Sequence, residues 1–271
     1  MTHSTDLPRV SVLLPVYNAE EYLPAMQESL LRQTLGDYEV IMVDDGSTDA
    51  SGAILERAAA DDSRFRVIHQ PANAGIVTAL NRGLDECRAP YIARMDADDI
   101  ALPDRFERQV AHMEANPDIV ALGTSLAYID ASGRSLNRVR RCALGRSMLR
   151  GNPLLHPTVM LRRSVLEQHA LRYRAEYIYA EDYYLWLELS RVGRLAALDE
   201  VAYLYRVSDT TLRSRKLRNM IRATLRVKLT GWRRLGLRPT PADLLGLAVE
   251  AGLLFVPPRL VWRAYLWANF R

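Results

Sequence analysis

Hydrophobic positions along the chain fall into two alternating patterns. Val10–Pro15 (VSVLLP) is an unbroken apolar run with β-branched residues, as in a strand buried on both faces. From about Glu20 to Thr34 the residues Tyr22, Leu23, Met26, Leu30 and Leu31 recur at helical spacing. The pair then repeats. Tyr38–Val43 predicts a strand and Ala50–Ala60 a helix; Phe65–His69 a strand and Ala74–Cys87 a helix. Tyr91–Met95 predicts a fourth strand, followed by a helix starting near Pro103, since proline suits a first helical turn. Ile119–Leu122 is a fifth strand. Strand–helix alternation with short connections predicts βαβ units, and hence an α/β fold with a mostly parallel sheet flanked by helices.

Beyond residue 122 the rhythm changes. Leu126–Ile129 and Leu136–Val139 flank Asp130-Ala131-Ser132-Gly133 and read as a hairpin. Pro157–Leu161 reads as a strand. Tyr179–Arg191 reads as a helix with an apolar stripe at Tyr184, Leu185, Leu187 and Leu189. Residues 1–209 are therefore expected to form one α/β body, its halves about 9–122 and 123–209, and residues 210–271 a helical extension.

Charge sharpens that division. The net charge of +4 is unevenly spread: residues 210–271 hold 13 Lys/Arg against two acids, whereas residues 1–209 hold 23 against 30. Ten of the basic residues lie between Leu212 and Arg238 with no acid among them. Leu244–Val256 is then apolar nearly all round, broken by Glu250 and closed by Pro257-Pro258. Leu260–Phe270 spaces Trp262, Tyr265, Leu266, Trp267 and Phe270 along a helix. Neither segment is long enough to span a bilayer. Basic residues with Trp and Leu suit a peripheral contact at an anionic membrane surface, and packing on the body or on a second copy is the alternative. Nucleic acid is not expected, because no binding module accompanies the charge.

Composition removes other classes. With 49% hydrophobic and 25% charged residues, the 271-residue chain is neither disordered nor collagenous. Two cysteines, Cys87 and Cys142, cannot build a disulfide framework or a four-cysteine zinc site. A reducing compartment, the cytoplasm, is the expected setting. Met1–Pro8 lacks a basic-then-apolar leader pattern.

Candidate chemistry gathers at predicted strand ends, where open parallel sheets bind ligands. Strand one runs into Pro15-Val16-Tyr17-Asn18, strand two into Asp44-Asp45-Gly46-Ser47, and strand four into Asp96-Ala97-Asp98-Asp99. Converging carboxylates repel and raise one another's pKa, so a cation is expected among them. Hard divalent ions take carboxylate oxygens together with substrate phosphates. Asp96-Ala97-Asp98 therefore predicts metal-bridged diphosphate binding. Asp49, Asp99 and Asp104 equally suit helix N-caps. No glycine-rich phosphate loop is present, which leaves charge neutralisation to a metal. A lone His156 is expected to be structural. The arginines between 134 and 150 suit either a phosphate-bearing acceptor or a solvated face.

The segments VSVLLPVYNAEEYL, VDDGSTD, YIARMDADDIALPDR and AEDYYLW together resemble glycosyltransferase family 2 over about residues 9–206. The resemblance implies a GT-A fold with a Rossmann-like sheet, a nucleotide-diphosphosugar donor (uridine being the commonest base), a divalent Mn²⁺ or Mg²⁺ and inverting chemistry. It places Pro15, Tyr17, Glu20 and Asp45 around the donor's base and ribose, with Asp44 beside them and Asn81 and Arg82 flanking. Asp96 would face ribose or sugar, and Asp98 would hold the metal. Asp182 matches the catalytic base, and its position at a helix start predicts a depressed pKa. One base suffices for inverting transfer when a metal stabilises the leaving group. The Gln/Arg-x-x-Arg-Trp motif of processive members is missing, which implies one sugar per encounter onto a saccharide or lipid-linked acceptor, as in surface polysaccharide synthesis. A pyrophosphorylase would need a glycine-rich loop after strand one. A non-catalytic binding subunit would be signalled by loss of Asp98 or Asp182, and both are present. A phospho-receiver domain would carry its acid pair after the first strand.

Overall fold

A computed structural model describes residues 7–144, 147–207, 211–257 and 260–261; within residues 211–216 it describes the backbone alone. Nine strands form one mixed sheet. Strands β1 (Val10–Val16), β2 (Tyr38–Asp44), β3 (Phe65–His69) and β4 (Tyr91–Arg94) are parallel, with β1 between β2 and β4. The helices α1 (Leu23–Leu31), α2 (Ser51–Asp61) and α3 (Ile76–Glu86) connect them in turn. All seven residues of β1 and all seven of β2 are buried, as their unbroken apolar runs require. Side chains alternate between two cores. Val10, Val12, Leu14 and Val16 face one, while Leu13 joins Ile41, Val43 and the α3 residues Leu80 and Leu84 in the other.

The second half adds β5 (Ile100–Ala101), α4 (Arg105–Ala115), β6 (Ile119–Ile129), β7 (Ser135–Arg140), β8 (Met160–Arg162), α5 (Arg163–Gln168), α6 (Glu181–Leu189) and β9 (Arg194–Arg206). The sheet order is β3-β2-β1-β4-β8-β6-β9-β5, with β7 on β6. Strand β8 runs antiparallel between β4 and β6, so the sheet is mixed rather than mostly parallel beyond β4.

Two departures from the sequence reading have physical causes. The segments 119–122 and 126–129 are one strand, because Thr124 and Ser125 are wholly buried and the Thr124 N–H donates to Thr158 Oγ1 at 3.1 Å. Strand β9, not anticipated, runs beside β6 with a register shift where Asp199 and Glu200 interrupt the apolar pattern.

The extension forms α7 (Thr211–Arg233) and α8 (Pro241–Leu253). Thr240 caps α8 through a reciprocal bond pair with Asp243. Val227 is buried against Tyr177, Tyr184 and Leu187. Lys228 Nζ donates to the Arg150 carbonyl at 3.0 Å and pairs with Glu250. The extension thus packs on the body along one face. Another stays bare: Leu244, Leu245, Val249 and Phe255 of α8 and its continuation are exposed. The helix expected over 260–270 lies outside the described residues apart from 260–261. Among the described residues no helix is long and apolar enough to cross a membrane.

Candidate active site

Parallel pairing of β1 with β2 and β4 brings three strand ends to one edge. There the loops are laced to each other. Asn18, at φ 48°, accepts the Thr48 N–H on its Oδ1 at 2.8 Å, and its own N–H donates to Ser47 Oγ at 3.0 Å. Glu20 Oε2 accepts the Ala50 N–H at 2.7 Å, at the start of α2. Asp49 Oδ1 accepts the Ser51 N–H at 2.9 Å, but from one residue before the N-cap of α2, which is Ala50 and not the expected Asp49. Gly46 takes φ 68°, and a Cβ there would lie 2.6 Å from the Ala72 carbonyl carbon, so the turn admits only glycine.

Above this edge opens a cleft of about 470 Å³, lined by Pro15, Tyr17, Asp45, Asn73, Tyr179 and Glu181 among others. Asp45 also organises its wall: its carboxylate accepts from Gln70 Nε2 at 2.8 Å and from the N–H groups of Ala74 (2.8 Å) and Gly75 (2.9 Å). Asp44 does not line the cleft. Its carboxylate accepts the Ser47 N–H at 3.0 Å and meets His69 Nδ1 at 2.9 Å. Burial opposes ionisation of Asp44, but the bonds from Ser47 and His69 outweigh it and hold its pKa below the usual range. Asn81 and Arg82 are also occupied elsewhere. The Asn81 carboxamide donates to the Tyr173 carbonyl at 2.9 Å and accepts the Tyr173 N–H at 3.0 Å; Arg82 pairs with Glu86 at 2.9 Å. Glu20, Asp44 and Asn81 thus brace the frame, and Arg82 sits in a half-exposed pair along α3, whereas Pro15, Tyr17 and Asp45 reach the cleft.

At the end of β4, Asp96, Asp98 and Asp99 offer carboxylate oxygens all within 4.8 Å of one another. Burial, then the charge of Asp96, pushes Asp98 up to about 6. Burial, then the charges of Asp96 and Asp98, raises Asp99 well above the usual carboxylate range, and its Oδ2 is buried with no hydrogen-bond partner. An oxygen-only donor set with an orphaned carboxylate oxygen fits a hard divalent cation.

Basic and phenolic groups that sequence reasoning missed hold this cluster. Arg94, 5% exposed by its side chain, pairs with Asp96. The Asp96 N–H donates to the Tyr203 hydroxyl at 3.1 Å. From the end of β9, the Arg206 N–H donates to Asp99 Oδ1 at 2.7 Å, and its Nε donates to the Asp98 carbonyl at 2.7 Å. Arg94 carried a signal: a charge inside a strand otherwise buried and apolar. Tyr203 and Arg206 carried none, because β9 itself was not legible.

The start of helix α6 stands between two adjoining cavities, whose linings share Tyr179. Glu181 lines the cleft above β1 and β2, while the next residue, Asp182, lines a second cavity of about 500 Å³ with Asn152, His156, Tyr128 and Tyr205. Asp182 Oδ2 accepts from Asn152 Nδ2 at 2.7 Å, and Oδ1 accepts the Tyr183 N–H at 2.7 Å. The expected depressed pKa is corrected here. Burial raises Asp182 above the usual carboxylate range, and the bonds from Asn152 and Tyr183 offset it only in part. Burial, then the charge of Asp182, lifts Glu181 to about 7. His156, which borders the second cavity, is held neutral: burial pushes its pKa well down, and its Nε2 meets the Tyr173 hydroxyl at 2.9 Å.

Residues 11–170 match the family model for glycosyl transferase family 2. A glycosyltransferase of Haemophilus influenzae is 36% identical over 212 residues, covering 74% of this chain and 66% of the relative. The amylovoran biosynthesis glycosyltransferase AmsE of Erwinia amylovora is 32% identical over 226 residues, covering 80% and 83%. The chain therefore spans just under two thirds of the Haemophilus relative. Among solved structures, TarS 1–349 of S. aureus in complex with UDP-GlcNAc aligns at TM-score 0.66 and 20% identity, over 82% of this chain and 66% of that one. The mannosyltransferase PcManGT of Pyrobaculum calidifontis, in complex with GDP-Man and Mn²⁺, aligns at TM-score 0.64 and 17% identity, over 98% and 86%. These likenesses fix the fold as GT-A-like, and the sequence match fixes the lineage: the chain is a glycosyltransferase and belongs to glycosyl transferase family 2.

Proposed function

We propose that the chain moves one sugar per encounter from a nucleotide-diphosphate donor to an acceptor hydroxyl, with inversion, in the synthesis of a surface polysaccharide. One observation carries this reading: Glu181 and Asp182, adjacent in sequence, open onto two different chambers. The cleft above β1 and β2 takes the nucleotide, against Pro15, Tyr17 and Asp45. The second cavity takes the acceptor. Asp182 accepts the proton of the acceptor hydroxyl as that oxygen bonds to the anomeric carbon. The bond from that carbon to the diphosphate oxygen breaks, and the nucleoside diphosphate leaves with the electron pair. A raised pKa makes Asp182 a stronger base than an ordinary carboxylate. Asp98, with Asp96 beside it, would hold Mg²⁺ or Mn²⁺, whose charge would offset that of the departing diphosphate. Arg94 pairs with Asp96 beside that site. The donor reading is supported by the UDP-GlcNAc and GDP-Man bound in the structural neighbours, and the polysaccharide reading by the AmsE relationship.

Calorimetric titration with UDP and GDP, with and without Mn²⁺, tests the donor assignment. Metal-dependent binding that Asp98→Ala abolishes supports it; unchanged affinity and metal dependence in the variant removes it. We further read the extension as a peripheral contact for the cytoplasmic face of the membrane. Exposed apolar residues of α8, exposed Arg222, Arg226 and Arg233 of α7, and the Arg234 that follows it support this. Sedimentation with phosphatidylglycerol vesicles checks it; equal recovery in the supernatant with and without vesicles at low salt would end that reading.

A further inference from the structure

The acceptor cavity is not built by the family-matched segment alone. Its wall includes Leu217, Met220 and Thr224 of α7, which face a chamber also bordered by Leu126, Leu155 and Arg140. The sequence had set α7 apart only as a basic extension, yet its anchored half (Val227, Lys228) fixes its preceding turns over the cavity. The chamber has three chemical zones. Asp182 and Asn152 form a polar end where a hydroxyl is activated. Tyr128 and Tyr205, packed edge to face at 5.9 Å, supply an aromatic surface suited to a sugar ring. Leu217 and Met220 supply an apolar wall, with Arg140 among the residues at the border. A free saccharide would leave that wall unused; an acceptor carrying both a phosphate and an apolar chain uses all three zones.

We propose that α7 is the acceptor-selecting wall of the enzyme. The accepting sugar is joined through phosphate to an apolar chain, with the chain against Leu217 and Met220 and the phosphate paired with Arg140. This rests on the reading of Asp182 as the base only in calling the cavity the acceptor site.

The test is a binding measurement on the full chain with no donor present, so the outcome is independent of any transferase assay. n-Decyl phosphate, kept below its micelle concentration, is titrated into wild type, Met220→Glu, Arg140→Gln and Leu245→Glu, with inorganic phosphate as the control. Melting curves confirm folding; Met220 is 38% exposed, so its substitution leaves the core intact. The expected result is saturable binding by wild type, weakened at least tenfold by Met220→Glu and at least threefold by Arg140→Gln, and unaltered by Leu245→Glu. Absence of saturable binding, or equal affinity in Met220→Glu, overturns the proposal. Loss in Leu245→Glu alone would place the amphiphile on the α8 surface and overturn it equally. Failure of the glycosyl-transfer reading would appear elsewhere, as no metal-dependent nucleotide binding and no consumption of any nucleotide sugar.

Discussion

Replacing Asp182 by Asn removes one atom's basicity and almost no volume. Its structural cost follows from the two bonds it accepts, from Asn152 Nδ2 and from the Tyr183 N–H, both at 2.7 Å. A carboxamide offers one acceptor oxygen, so its NH₂ must oppose one of those donors. Asn152 relieves the clash by turning its own carboxamide over, giving up only a long 3.4 Å bond that its Oδ1 accepts from the Leu154 N–H. The loss of stability is therefore at the low end for a buried mismatch, about 1 kcal/mol. The kinetic loss is far larger. A positioned base contributes about 10²–10⁴ in rate, equivalent to about 3–5.5 kcal/mol of barrier. Single-turnover transfer, a melting curve and a nucleoside diphosphate titration separate the two effects. The expected outcome is a shift of a few degrees in Tm, unchanged nucleotide affinity and transfer reduced at least a hundredfold. Transfer within tenfold of wild type in a folded Asp182→Asn protein would refute the assignment of the base.

Three further outcomes follow from the same contacts. Asn152→Ala removes a bond that favours the Asp182 carboxylate, so the acidic limb of the pH–rate profile should move to higher pH; a limb that stays in place would mean another group sets it. His69 has its pKa raised by bonds to Glu56 and to Asp44, so its charged form is favoured by folding. The stability it lends is full below its unfolded pKa of about 6.5 and fades as pH rises through the higher folded value, so the Tm gap between wild type and His69→Gln should shrink above neutrality. Gly83→Ala would place a Cβ against Leu13, 3.1 Å from Val43 Cγ2, and should cost about 1–3 kcal/mol by denaturant titration; no loss would mean α3 shifts freely off β1.

Much of this was legible because burial leaves a mark on sequence. Strands β1 and β2 are covered on both faces and read as unbroken apolar runs, so the edge beyond them could be located and its acids expected to meet. What failed to show was of two kinds. Strand β9 has its alternation broken by Asp199 and Glu200 at a bulge, and the residues it delivers, Tyr203 and Arg206, were lost with it. Individual roles within a recognised motif were also hidden. Motif spacing brings Asp44, Glu20, Asn81 and Arg82 near the edge, but only coordinates show that Ser47, Ala50, Tyr173 and Glu86 already engage them. The basicity of Asp182 was misjudged for a related reason. Position at a helix start is visible in sequence, while the depth of burial that reverses its effect is not.

Strand β9 ends on Arg206, whose backbone and side chain grip Asp99 and the Asp98 carbonyl, and α7 begins five residues later at Thr211. Loss of the Arg206 side chain would therefore loosen the Asp98-Asp99 loop at the same strand end from which the chain leads, within five residues of sequence, to the helix bordering the second cavity.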